Sequence, residues 1–340
     1  MMTRDDRVAF LRAVKSSPVY DLARETALQR AAKLSARLGL EVWLKREDQQ
    51  VQYSFKVRGA LHAIAGLTPM DRARGVVTAS AGNHAQGVAL AARHFGVAAT
   101  VVMPSATPAI KVEAVRALGA HVVLHGARFA DAELLAREEA LRTGATLVHP
   151  FDDRRVIEGQ ATVAAEILRQ YAGGLGAVLV PVGGGGLIAG VAAYVKALVP
   201  HVKVIGVEPL DSDAMYRALA AGRPVPVERP GMFADGVAVR QVGGEPFAMA
   251  QDTVAGVIRV THGQICDAMR AVFEDTRGIV EPAGALAVAA LDTYLLEYHR
   301  GRGAVVALLT GGNVDFDVLG AVARQGEVAE PVEVSAVAGS

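Results

Sequence analysis

Three short segments carry residue types that could do chemistry. Gly183-Gly184-Gly185-Gly186 follows the apolar run AVLVPV and precedes a helical segment opening at Leu187. Four glycines at a strand-to-helix turn leave several backbone N–H groups free to converge on an anion, and the helix dipole adds to the attraction. A flexible turn or a tight helix crossing would also use glycine, but four in succession cost backbone entropy that a plain turn need not spend. A dinucleotide site competes for the same loop: Gly184, Gly186 and Ala189 fit G-x-G-x-x-A, and Glu208 ends the next strand about 20 residues on.

The second segment is Ser54-Phe55-Lys56-Val57-Arg58-Gly59, just after Lys45-Arg46-Glu47-Asp48. A lysine between Phe55 and Val57, at the head of an apolar-periodic stretch, becomes nucleophilic if it is desolvated. Its local sequence equally describes a solvated lysine whose stem covers apolar surface. The third segment, Ser80-Ala81-Gly82-Asn83-His84-Ala85-Gln86-Gly87, follows the run GVVTA and opens a helix running toward His94. A hydroxyl, an amide and free N–H donors at a helix start suit a carboxylate, although an ordinary N-cap uses the same residues. No catalytic role is assigned to His84.

These segments need elements to hold them. Short β-branched runs recur between Ala- and Leu-rich stretches: VVTA from Val76, ATVVM from Ala99, HVVL from His121, AVLVPV from Ala177, VKVIGVE from Val202 and AVVALL from Ala304. That alternation predicts an α/β fold of parallel sheets flanked by helices, with strands buried on both faces and ligands at their C-terminal ends. The 340 residues, 51% hydrophobic and 21% charged, suffice for two domains. The expected division is a large cofactor-binding domain of 1–52 plus 153–326 and a small domain of 53–152, with 327–340 a tail expected to fray.

Charge and cysteine content narrow the function. Thirty-five basic residues balance thirty-five acidic ones, so no net field favours nucleic acid or an anionic membrane. The single Cys266 makes no internal disulfide, no stretch is apolar enough for a membrane span, and no secretory signal opens the sequence, so the cytoplasm is expected.

Taken in order, S-F-K-V-R-G-A, S-A-G-N-H-A-Q-G, P-V-G-G-G-G-L and T-G-G-N-V-D resemble the fold-type II pyridoxal-phosphate enzymes, the tryptophan synthase β-like group. Threonine and serine dehydratases are the nearest members. The resemblance runs from about Val19 to Val318 and takes in K-R-E-D at Lys45, V-M-P at Val102, V-L-H-G at Val123, F-A-D-G-V-A-V at Phe233 and E-P-A-G at Glu281. It implies a pyridoxal 5'-phosphate cofactor held by Lys56 as a Schiff base, with Gly183, Gly184, Gly185, Gly186 and Leu187 around its phosphate. It further implies Asn83 at the phenolic oxygen, Thr310 at the pyridine nitrogen, and Phe55 and Gly236 flanking the ring. Ser80, Ala81, Gly82, Asn83 and His84 match the loop that takes the substrate carboxylate.

The implied activity is loss of water and ammonia from L-threonine, and from L-serine, as in the step committing threonine carbon to isoleucine. Phenylserine is the alternative substrate, and a nucleotide-dependent oxidoreductase the alternative class. Biosynthetic threonine dehydratases usually add C-terminal regulatory domains, which are not expected in this sequence, and relatives form homodimers or homotetramers. Some relatives bind a divalent cation through a glutamate matching Glu208 and an acidic residue where Ala214 stands, so no required metal is expected there. Related serine racemases carry a second serine at the position of Ala81, which has no exchangeable proton; elimination rather than racemisation is the expected outcome.

Overall fold

The computed structural model describes residues 2–301 and 303–324. The expected tail at 327–340 therefore lies outside the described residues. Ten strands form two sheets: β1 (Leu28–Arg30), β2 (Val42–Arg46), β3 (Val76–Ala79), β4 (Ala99–Met103), β5 (His121–Leu124), β6 (Thr146–Leu147), β7 (Leu175–Pro181), β8 (Lys203–Pro209), β9 (Gly256–Val260) and β10 (Ala304–Leu309). The larger sheet has the order β1-β2-β10-β7-β8-β9 and the smaller β5-β4-β3-β6. All pairings are parallel except β1 with β2.

Four of the six expected strands match their runs at both ends, and β7 and β8 are shifted by one or two residues. The central strands β3, β7 and β10 are buried almost throughout, as parallel strands beneath helices must be. The edge strand β5 departs from the expectation of full burial. Its His121 and Leu124 are exposed because an edge strand has a neighbour on one side only. Strands β1, β2, β6 and β9 were not anticipated: β1 and β6 are too short to show a pattern, and β2 carries Lys45 and Arg46 inside the protein.

One helix joins the sheets. Arg154–Gln170 packs against Lys56–Ala65 on one side and Gly186–Leu198 on the other. Glycine permits both crossings. A Cβ on Gly159 would sit 2.6 Å from the Arg58 carbonyl, and one on Gly190 2.6 Å from that of Ile157. Both neighbours are backbone and cannot swing away, so these approaches require glycine. The glycine loop at the end of β7 and the segment at the head of Lys56–Ala65 are thereby fixed to one support.

Candidate active site

Lys56 opens its helix, and its Nζ donates to the Pro150 carbonyl at 3.1 Å. Burial pulls its pKa down to about 8, against the opposing pull of Glu281. Its Nζ also stands 5.4 Å from the centre of the Phe55 ring, and the Phe55 N–H donates to the Thr310 carbonyl at 3.3 Å. Thr310 follows β10 and is buried in the interior. Its Oγ1 lies 3.4 Å from the Ala283 carbonyl, long enough for the hydroxyl to turn toward a better partner.

Next to Pro150, Phe151 meets the glycine loop. A Cβ on Gly184 would fall 2.2 Å from the Phe151 ring, and one on Gly186 3.0 Å from its carbonyl. Gly185 has φ +95°, a left-handed conformation that disfavours a side chain, and a Cβ there would meet Met215 and Pro246. With one side of the loop packed, its donors are left over. None of the N–H groups from Gly183 to Leu187 has a protein acceptor among the described residues. Five successive free donors at the start of the thirteen-residue helix Gly186–Leu198 are an arrangement that suits an anion such as phosphate.

The third segment repeats this arrangement on the other sheet. It leaves β3 at Ser80, where the Gly82 N–H donates to Ser80 Oγ at 3.2 Å, and enters the helix Asn83–His94. The N–H groups of Ala81, Asn83 and His84 have no acceptor among the described residues. The helix sits close to the lysine: a Cβ on Gly87 would lie 3.2 Å from the Lys56 carbonyl carbon. His84 is buried, with Nε2 3.0 Å from the Val148 carbonyl and Nδ1 unpartnered. Burial, with the Lys56 charge adding to it, lowers its pKa to about 3, so its ring is neutral.

Two residues quoted only as parts of motifs join the cluster. Glu281 is buried at the start of the helix Pro282–Ala289 and accepts from Asn83 Nδ2 at 2.9 and 3.2 Å. Burial pushes its carboxyl up to about 7, against the Asn83 hydrogen bond. Asn313 Nδ2 donates to Asn83 Oδ1 at 2.8 Å. A carboxylate heading the all-apolar helix PAGALAVA was the available signal for Glu281, since such a helix offers it no water. Gly236 stands by the same carboxyl: a Cβ on it would lie 3.3 Å from Glu281 Oε1.

Glu208 and the acidic residues closest to Ala214 in the chain are engaged within the protein. Glu208 accepts the N–H groups of Met215 and Tyr216 at 2.8 and 2.9 Å. Asp213 pairs with Arg217 and Arg259, and Asp211 with His262. Among the described residues no group of three His, Cys, Asp or Glu could hold a metal.

The residues present fit pyridoxal phosphate: a partly buried amine of lowered pKa, five free donors for a phosphate, and amide and hydroxyl groups for ring substituents. Residues 19–311 match the family described as pyridoxal-phosphate dependent enzyme. The chain is 49% identical over 324 residues to the biosynthetic L-threonine dehydratase of Pasteurella multocida (strain Pm70), covering 95% of this chain and 63% of that protein. The processed form of threonine deaminase isoform 2 from Solanum lycopersicum superimposes with a TM-score of 0.92 at 44% identity, over 95% of this chain and 88% of that one. Maize serine racemase superimposes with a TM-score of 0.87 at 32% identity, over 92% and 95%. The chain thus spans less than two thirds of the length of the dehydratase it matches.

Proposed function

The chain belongs to the pyridoxal-phosphate-dependent enzyme family, and from that membership we propose that it deaminates L-threonine, and L-serine, by β-elimination of water. The products are 2-oxobutanoate or pyruvate, with ammonia. The observation that carries this reading is the convergence of Lys56, an amine of lowered pKa, with two helix N-termini that each present N–H groups without an acceptor among the described residues.

Lys56 would hold the cofactor covalently through Nζ, and Gly183 to Leu187 its phosphate. Asn83 would meet the phenolic oxygen, Thr310 the pyridine nitrogen, and Phe55 and Gly236 the two ring faces. Bound pyridoxal phosphate supplies an electron sink for the pair released at the substrate Cα. The Lys56 amine, with its pKa lowered toward neutrality, is suited to take the Cα proton. Ser80 and the free N–H groups of Ala81, Asn83 and His84 suit the substrate carboxylate, and the neutral ring of His84 adds no competing charge. The Thr310 hydroxyl is neutral and does not hold the pyridine nitrogen protonated as a carboxylate would.

Ala81 bears on the outcome. It offers no proton at the position where related serine racemases carry a second serine, and elimination is favoured over racemisation despite the shared fold with serine racemase. The same reading takes residues 53–152 as the unit carrying Lys56 and the carboxylate loop. It places the activity in isoleucine biosynthesis in the cytoplasm, in a homodimer or homotetramer. No described helix is long and apolar enough to cross a membrane.

The test is turnover of threonine, serine and phenylserine side by side, with chiral chromatography of the residual substrate. The expected result is fastest formation of 2-oxobutanoate from L-threonine with no Cα inversion. Preference for phenylserine, or substantial Cα-inverted threonine, would contradict it.

A further inference from the structure

Asn313 lies in the loop after β10, and its amide donates twice. Nδ2 is 2.8 Å from the Gln52 carbonyl and 2.8 Å from Asn83 Oδ1. Asn83 passes its own Nδ2 to Glu281, and the Asn313 backbone N–H meets the same carboxylate. A backbone carbonyl can only accept, and at Glu281 it is Asn83 Nδ2 that donates. Gln52 therefore fixes which end of the Asn313 amide faces it, and that amide's second N–H fixes Oδ1 of Asn83. Glu281 fixes the other end. With Oδ1 committed to Asn313 and both Nδ2 contacts going to the one Glu281 carboxyl, the Asn83 amide is oriented from both sides.

The same amide controls the chain that leads to the lysine. Gln52 and Tyr53 have φ +60° and +54°, left-handed conformations that cost residues with side chains about 1–3 kcal/mol and persist only when neighbours hold them. Their carbonyls are held by Asn313 Nδ2 and by the Gly312 N–H, the latter at 2.9 Å. Ser54 then pairs with Gly311 in a β-bridge, and Lys56 follows two residues on. One side chain thus ties the approach to Lys56 to the orientation of Asn83.

The geometry points to Asn313 as a positioning residue that, with Glu281 opposite it, sets Asn83 as a hydrogen-bond donor toward the bound cofactor and holds the strained segment in front of Lys56. This rests on the reading in which Asn83 meets the cofactor's phenolic oxygen. Hydrogen bonding at that oxygen alters the chromophore, so the visible spectrum reports on the Asn83 amide independently of turnover.

The experiment compares Asn83→Ala, Asn313→Ala, Asn313→Asp and Glu281→Ala as holoenzymes, recording the visible band of the bound cofactor and its Kd by titration of apo-protein. Asn313→Ala is expected to move the band in the direction of Asn83→Ala and to weaken cofactor binding about tenfold, the scale of one hydrogen bond. Asn313→Asp, which has the same shape but only acceptors, is expected to move it further. Glu281→Ala removes the opposing acceptor, which a glutamine would keep in its amide oxygen, and carries the test if the Asn313 variants fail to fold. If Asn83→Ala shifts the band while the folded Asn313 and Glu281 variants keep the wild-type band and Kd, the relay is overturned. If Asn83→Ala also leaves both unchanged, the reading of Asn83 falls and the relay with it.

Discussion

The helix Lys56–Ala65 borders two buried polar clusters, which treat their charges differently. Arg58 uses all five of its N–H donors: two bonds to Glu47, one each to Glu166, Thr162 and the Arg24 carbonyl. Lys45 uses all three of its own, to Glu166, Gln170 and the Thr26 carbonyl. Two residues before Arg58, Lys56 makes one bond, to the Pro150 carbonyl. Burial pulls both lysine pKa values down; at Lys45 the Glu166 and Glu47 carboxylates pull back, whereas Lys56 has only Glu281, itself pushed up to about 7. A buried charge with every donor placed is structure, while one with donors to spare and a shifted pKa is available for chemistry.

Removing the two cations should break the comparison in opposite ways. Lys56→Ala is expected to cut turnover by a factor on the order of a thousand or more, with unfolding free energy changed by no more than about 1 kcal/mol. Arg58→Met deprives Glu47 of its guanidinium partner and Glu166 of one of its two cations in the interior, and should destabilise the fold by about 3–5 kcal/mol in denaturant titration. Equal stability losses for the two variants would erase the distinction.

The pH dependence sharpens it. Glu281, raised from the usual 4.5 to about 7, keeps its proton in the folded state across a range where the unfolded chain has released it. Stability from this group therefore falls as pH rises from 4.5 to 7, and Glu281→Gln should flatten that limb. Glu166 runs the other way. Burial alone would raise it, but Arg58 and Lys45 outweigh burial and hold it below 4.5, so its contribution is present at neutral pH and lost on acidification. Arg58→Met should flatten the acid limb only. The two variants are compared by unfolding free energy from pH 7 to well below 4.5.

The smallest effect is expected at the surface. Lys111 Nζ reaches Asp235 at 3.0 Å, joining the helix Ala109–Ala117 of the smaller sheet to the turn carrying Gly236. Both groups are substantially exposed, so Lys111→Ala should cost less than about 1 kcal/mol, and its effect should shrink with added salt.

Much of this was legible in the sequence where the pattern is local. The β-branched runs of β3, β4, β5 and β10 appear as strands with their bounds, and the glycine loop as a strand-to-helix turn with N–H groups to spare among the described residues, because strand burial and donor geometry act within a few residues. Lys56 was undecided on its local sequence, since its hydrogen-bond partner Pro150 and the Glu281 charge that acts on it are distant in the chain. The K-R-E-D segment showed four charges without showing that Lys45 and Glu47 are fully buried; their partners Glu166 and Arg58 are supplied by two separate helices. Asn313 was invisible for the same reason, with partners 230 and 261 residues away.

The central claim is that Lys56, with its spare donors, is the residue that holds the cofactor. The direct measurement is borohydride reduction of the protein loaded with pyridoxal phosphate, followed by peptide mass spectrometry. The expected result is a reduced phosphopyridoxyl group on the peptide containing Lys56 and loss of the visible band. Modification at Lys45, Lys111 or another lysine with Lys56 unmodified would contradict the account.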